Sequence, residues 1–357
     1  MNKKSNWGLV LIAAVMVFTG WYLLRQQPLS SLVQVLSQIR PGFVLLGLGF
    51  MFVFVGCEAL CSKLILGRLG HRVQYRQCLG YSFTGFYVSS ITPSSTGGQP
   101  AQIYYMSKDG IPAAHGSLNM MLIAVCYQVV TLLYAVAAFF ALPGIRRDMG
   151  AGLGALLAFG GIVMVVLTAG MLCMMFLPNA AKKMMGGLLD VLVKLHIVRR
   201  EAELRAKLDA QMAEYRQGAA CIRANLKLMP ALLAITFLQL TALYAVPFVV
   251  YLGFGLQGAT LFQLVGAQAL VNLAVGSLPL PGAVGASEGV ALRAFGLFFG
   301  SGLVAPAVLV SRGISFYSFL LISAGVTVGM HLKHRNRAPV SKPAKVFPVA
   351  VKKAALE

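Results

Sequence analysis

The chain has 357 residues, 58% of them hydrophobic and only 11% charged, with a mean hydropathy of +0.77. A soluble domain carries about 25% charged residues, and about 20 apolar residues suffice to span a bilayer. Four uncharged runs (Gln77–Ser107, Gly110–Ile145, Met149–Ala181 and Leu228–Ser287) each exceed that length. Disorder, a disulfide scaffold, a coiled coil and a water-soluble enzyme are excluded. The expected class is an all-α, polytopic integral membrane protein. The charge is lopsided, 30 Lys+Arg against 10 Asp+Glu for a net +20.

In chain order, a first span is expected at Trp7–Leu24, behind Lys3 and Lys4. No A-x-A-like cleavage site follows, so it reads as a retained signal anchor. A second span runs from Pro41 to about Leu66 and carries Glu58, expected to snorkel to the interface beside Lys63 and Arg68. A broken segment covers Leu79–Ile111, and full spans follow at about His115–Leu142 and Gly150–Leu177. Within residues 178–228, Leu188, Leu189, Leu192 and Leu195 share one helical face and Leu204, Leu208, Met212 and Tyr215 another. That pattern fits two amphipathic helices on the inner leaflet. Met229–Gly253 spans again, Thr260–Phe299 is a second broken segment, and Gly302–Met330 is the last span. The count is about six full spans plus two broken segments in one membrane domain, 1–330. A basic tail, 331–357, is expected to be disordered near anionic headgroups. Both basic stretches serve equally as topology signals.

Most Lys and Arg lie at Lys3–Lys4, Lys63–Arg76, Lys182–Lys227 and the tail. The positive-inside rule places these in the cytoplasm, with both termini. The first broken segment must then start and end inside and the second start and end outside. Two antiparallel crossings would satisfy the same parity; the Pro and Gly content of each tip favours re-entry from opposite faces. Nucleic-acid binding explains the charge poorly, because the charge is distributed as topology demands. The six Cys form no CxxC pair and the five His are scattered, so neither a metal nor a cofactor is expected.

The two breaks concentrate the polarity. The first reads Thr92-Pro93-Ser94-Ser95-Thr96-Gly97-Gly98-Gln99-Pro100-Ala101-Gln102. Pro removes a backbone donor and Gly loosens the helix, leaving polar backbone that hydrocarbon cannot receive. Such backbone belongs in a cavity, or else the stretch is an ordinary loop outside the membrane. The second reads Pro279-Leu280-Pro281-Gly282-Ala283-Val284-Gly285-Ala286-Ser287-Glu288. A charge at mid-bilayer costs about 2.5–3.5 kcal/mol on insertion scales, so Glu288 needs a partner. Arg312, well inside the last span, is the natural one, in a structural pair or as a clamp for an anionic headgroup. Paired Pro/Gly-interrupted segments entering from opposite faces are the pattern of inverted-repeat transporters with a site near the midplane.

These motifs, with Arg312 and Tyr317 downstream, resemble the lysylphosphatidylglycerol synthase transmembrane-region family, the flippase-like membrane domains of bacterial multiple peptide resistance factors and their stand-alone relatives. The resemblance spans roughly residues 8–330. It implies translocation of a phospholipid, such as lysyl-phosphatidylglycerol, or of another lipid-linked headgroup between leaflets of the bacterial inner membrane. Anionic or aminoacylated phospholipids, and a lipid-modifying synthase, are the partners it implies. Members often show Gly-Glu-Pro-x-Arg at the first break, where this chain has Gly98-Gln99-Pro100-Ala101-Gln102. Full-length relatives append a soluble aminoacyltransferase domain, and nothing in 331–357 resembles one, so lysyl transfer from lysyl-tRNA is not expected. The candidate headgroup-binding residues are Pro93, Thr96, Gly97, Gly98, Gln99, Gln102, Pro281, Gly282, Gly285, Ser287, Glu288, Arg312 and Tyr317, none of them catalytic. The alternatives are a phosphatidylglycerol lysyltransferase and a non-transporting membrane partner of a synthase.

Overall fold

A computed structural model describes residues 39–143, 150–177, 222–278, 281–283 and 285–335, with isolated positions at 187, 216, 219 and 220. The expected first span, most of the amphipathic stretch and most of the tail lie outside these residues. All secondary structure among the described residues is helical. Five stretches are long and apolar enough to cross a membrane: Pro41–Arg68, Ala113–Ala141, Gly152–Cys173, Leu226–Gly253 and Ala286–His334.

Helix α1 (Pro41–Arg68) starts with proline in its first turn, where the missing donor is harmless, and ends on Arg68. A gap of six residues leads to α2 (Tyr75–Ile91); a short 3₁₀ turn at Pro93–Ser95 separates it from α3 (Gly98–Lys108). Helices α4 (Ala113–Ala141) and α5 (Gly150–Phe176) follow. Helix α6 (Met229–Tyr244) is continued by α7 (Val246–Gly253), with Pro247 in its first turn. Helix α8 (Leu261–Val275) opens on Thr260, whose hydroxyl accepts from Gln263 N–H. After a second 3₁₀ turn at Pro281–Ala283 comes α9 (Ala286–Arg312), then a π-helical turn at Gly313–Ser318, then α10 (Phe319–His334).

One element boundary differs from the sequence expectation. The second broken segment and the last span were expected to separate between residues 299 and 302. Instead α9 runs through that point, kinked at Gly300, whose φ of 69° and ψ of 167° lie outside the helical region. Only glycine enters that conformation readily, so the polypeptide bends without a loop.

Helix α1 packs against α2, α4, α6, α7 and the π-helical turn. Helix α8 packs on α4, α5 and α9, and α10 packs along α2. The inner core gathers Met51, Leu240, Tyr244, Leu264, Phe295 and Phe319. Outward, large apolar side chains stand bare: Phe140 is 71% exposed, Leu321 70% and Leu45 68%. In water a belt of this kind would drive aggregation; against acyl chains it is the expected surface.

At one end, polar contacts clamp α3 to α10. The Tyr81 hydroxyl donates to Asp109 Oδ2 at 2.6 Å, and His334 Nε2 lies 2.9 Å from Asp109 Oδ1. The Lys108 ammonium donates to the His334 carbonyl at 3.0 Å. Nearby, His71 Nε2 lies 2.7 Å from His115 Nδ1, tying the α1–α2 connection to the first turn of α4.

Candidate functional site

The first break is built largely from its own hydroxyls. Thr92 is extended (φ −107°, ψ 146°), as a residue before proline must be. Its Oγ1 donates to Val88 O at 2.8 Å and accepts from Gly97 N at 3.0 Å. Thr96 Oγ1 donates to Pro93 O at 3.0 Å, and Ser89 Oγ to Ser95 O at 3.3 Å. These bonds satisfy backbone that Pro93 and the glycines release from the helix. Gly98 is required by close approach: a Cβ there would strike Ser89 and lie 2.6 Å from the Gly85 carbonyl.

The second break meets the first. Their two 3₁₀ turns pack together, and Ser94 Oγ donates to Leu278 O at 3.4 Å across the junction. Gly282 sits in the left-handed region (φ 56°), and any side chain there would collide with the Phe316 ring. Glu288, in the first turn of α9, accepts the Gly285 N–H on Oε2 at 2.6 Å. Its Oε1 accepts from Arg312 Nε at 2.8 Å and from the Tyr317 hydroxyl at 3.4 Å. Arg312 also donates from an Nη to the Gly282 carbonyl at 3.0 Å, and its guanidinium lies 4.3 Å from the Phe316 ring centroid. Arg312 is therefore held by a carboxylate, a carbonyl and an aromatic face at once. The pair is mostly buried, Glu288 being 13% and Arg312 17% exposed.

A cavity of about 660 Å³ opens between the breaks. Thr96, Gln99 and Gln102 line it from the first break, Gly282 and Ser287 from the second, and Arg312 from the end of α9. Pro93, Gly97, Gly98, Gly285, Glu288 and Tyr317 are not on its wall. Pro93 and Pro281 open the two turns, and Glu288 and Tyr317 stand behind Arg312.

Sequence reasoning missed part of the wall. Glu58 does not snorkel beside Lys63 and Arg68; it lines the cavity and accepts from Gln102 Nε2 at 2.9 Å. The packing of α3 against α2 and α4 decides this, because it brings Gln102 to Glu58. Tyr127, Gln128, Gln268, Asn272 and several serines add to the polar lining. Gln268 and Asn272 are four residues apart, hence on one face of α8, and that spacing inside an apolar run was a readable signal. Among the described residues no three His, Cys, Asp or Glu side chains gather where they could share a metal ion.

The arrangement joins a fixed cation, a carboxylate held by an amide, and neutral amides and hydroxyls inside an apolar shell, a setting suited to binding a polar group. No curated protein and no solved structure matches the chain. The family model described as "Lysylphosphatidylglycerol synthase TM region" matches residues 6–323. Nearly the whole of the helical assembly falls within that match, and the chain belongs to the lysylphosphatidylglycerol synthase TM region family of multi-pass membrane proteins.

Proposed function

We infer that the chain is a lipid flippase. A phospholipid headgroup enters the cavity between the two breaks, its phosphate against Arg312, while its acyl chains remain in the bilayer. One observation carries this reading: an arginine fixed on three sides lines a cavity of about 660 Å³ inside an assembly whose outer surface is apolar. That volume falls within the range of about 300–1,000 Å³ typical of small-molecule sites. The cargo class is an anionic or aminoacylated phospholipid, in keeping with the family's name.

The same reading makes each break the tip of a re-entrant hairpin. Helices α8 and α3, of 15 and 11 residues, reach about 22 and 17 Å at 1.5 Å per residue. A hydrocarbon core is about 30 Å thick, so these arms suit a turn within the membrane. The two hairpins then enter from opposite faces as an inverted repeat of domain 1–330, in a bacterial inner membrane, with both termini cytoplasmic.

The test is leaflet exchange of labelled phospholipids in liposomes carrying the purified protein. Exchange should exceed that of empty vesicles, and Arg312→Ala or Glu288→Gln should reduce it at least tenfold while each variant still elutes as a folded monodisperse species. No acceleration with any of several headgroups would defeat the reading.

A further inference from the structure

Glu58 is a cavity-wall charge to which headgroup passage, as described, assigns no task. It sits in α1 ten residues before Arg68, about 15 Å along the helix axis at 1.5 Å per residue. That depth is well away from the helix end.

Among the described residues, its neighbours supply no cation. Gln102 of α3 donates one hydrogen bond, and Ser82 of α2 lies beside it. Cys61 on its own helix and Tyr127 of α4 are the titratable groups within electrostatic reach. Helices α6 and α7, also packed on α1, contain no Asp, Glu, Lys, Arg or His. Arg76 of α2 and His115 of α4 stand in the first turns of their helices. Lys63 is exposed and borders a separate groove with His71.

One acceptor beside the carboxylate lacks a donor. Gln102 is 5% exposed, and its Oε1 has no partner although its amide nitrogen serves Glu58. An acceptor without a donor thus sits on the wall next to the carboxylate, and such buried acceptors are rare. Charge leads the same way. Arg312 is already answered by Glu288, so an ionised Glu58 leaves the described wall and its supporting carboxylate at a net −1. A phosphodiester anion would enter against that charge.

We propose that Glu58 is a proton-binding site coupled to the headgroup, so that each anionic phosphodiester crosses together with one proton. The inference rests on the flippase reading. A proton from water on the loading side forms an O–H bond on the Glu58 carboxylate as the headgroup binds. That bond breaks heterolytically on the far side, returning the proton to water as the headgroup leaves; nothing is oxidised or reduced. By linkage, the proton raises headgroup affinity by the same factor as the headgroup raises proton affinity. A headgroup with its own ammonium places that cation against Glu58 and Gln102 and needs no proton.

The experiment uses the full chain in phosphatidylcholine liposomes with labelled phosphatidylglycerol or labelled phosphatidylethanolamine, at equal pH on both sides. Phosphatidylglycerol exchange should rise as pH falls, by up to about tenfold per unit where proton binding limits the rate. It should be independent of pH in Glu58→Gln. Phosphatidylethanolamine exchange should be flat in both proteins. A flat wild-type profile for phosphatidylglycerol, or an unchanged slope in Glu58→Gln, overturns the proposal. A second measurement needs no transport: calorimetric titration of dihexanoyl-phosphatidylglycerol into detergent-solubilised protein, in buffers of different ionisation enthalpy, counts protons taken up. About one proton per bound lipid is expected for wild type, and none for Glu58→Gln. Proton-linked binding without exchange would sink the flippase reading, and the joint crossing with it, and leave only the coupled binding of proton and headgroup at Glu58. Exchange with binding but no proton uptake would overturn the proton coupling and leave the flippase reading standing. No binding at all defeats both. If Glu58→Gln fails to fold, the wild-type proton count decides alone.

Discussion

Gly282 shows how tightly one residue is constrained at the site. Its backbone is left-handed, its face is closed by the Phe316 ring, and its carbonyl receives Arg312. An alanine there must adopt a strained φ and displace an aromatic ring that also packs on the guanidinium. Gly282→Ala should therefore lower stability by about 2 kcal/mol and impair exchange. Gly289, on the same helix as Glu288, has open space where its side chain would be. Gly289→Ala should raise stability by up to about 1 kcal/mol from helix propensity alone. Thermal unfolding of the two variants in detergent checks the contrast; equal shifts would mean that the Gly282 turn is not under constraint.

At the scale of elements, the helices are stitched at their ends by polar pairs that hydropathy does not reveal. The His71–His115 contact fastens the α1–α2 connection to α4, and burial holds the His71 imidazole below the usual histidine range. In the unfolded chain His71 regains the ordinary value of about 6.5. As pH falls below that value the unfolded state takes up the proton first. The contribution of His71 to stability is thus complete above about pH 6.5 and is lost as pH falls through the depressed folded value. Unfolding midpoints in detergent should drop between about pH 7.5 and 5.5, and the drop should be smaller in His71→Gln. An identical drop in the variant would assign the acid sensitivity elsewhere. Sequence alone treated both histidines as isolated, because 44 residues separate them and no local period links such positions.

For the whole molecule the decisive question is where the two breaks lie relative to the membrane. If the first break is re-entrant, its tip is shielded while the end of α3 faces water. Ser95→Cys should then react slowly with a bulky, membrane-impermeant thiol reagent, and Gly110→Cys quickly, from a single side. Rapid labelling of Ser95→Cys from the side opposite Gly110→Cys would mean that α2 and α3 are two full crossings. The apolar periphery also requires that the protein lose its fold, or aggregate, once detergent or lipid is withdrawn, since Phe140, Leu321 and Leu45 would then face water.

The amino-acid order by itself determined the membrane class, the positions of the two breaks and the Glu288–Arg312 partnership. Each follows from local cost: apolar length, proline and glycine interrupting a helix, and a lone carboxylate ending a long uncharged run, which favours a cation as its partner. Tertiary packing decided the rest. It moved Glu58 from an expected interfacial position to the cavity wall, set Glu288 and Tyr317 behind Arg312, and added polar side chains from α4 and α8 to the lining. Of these placements, only the Gln268–Asn272 spacing on α8 left a trace along the chain. A helix fixes which residues share a face, whereas the choice of the face that meets a cavity belongs to the neighbours packed around it.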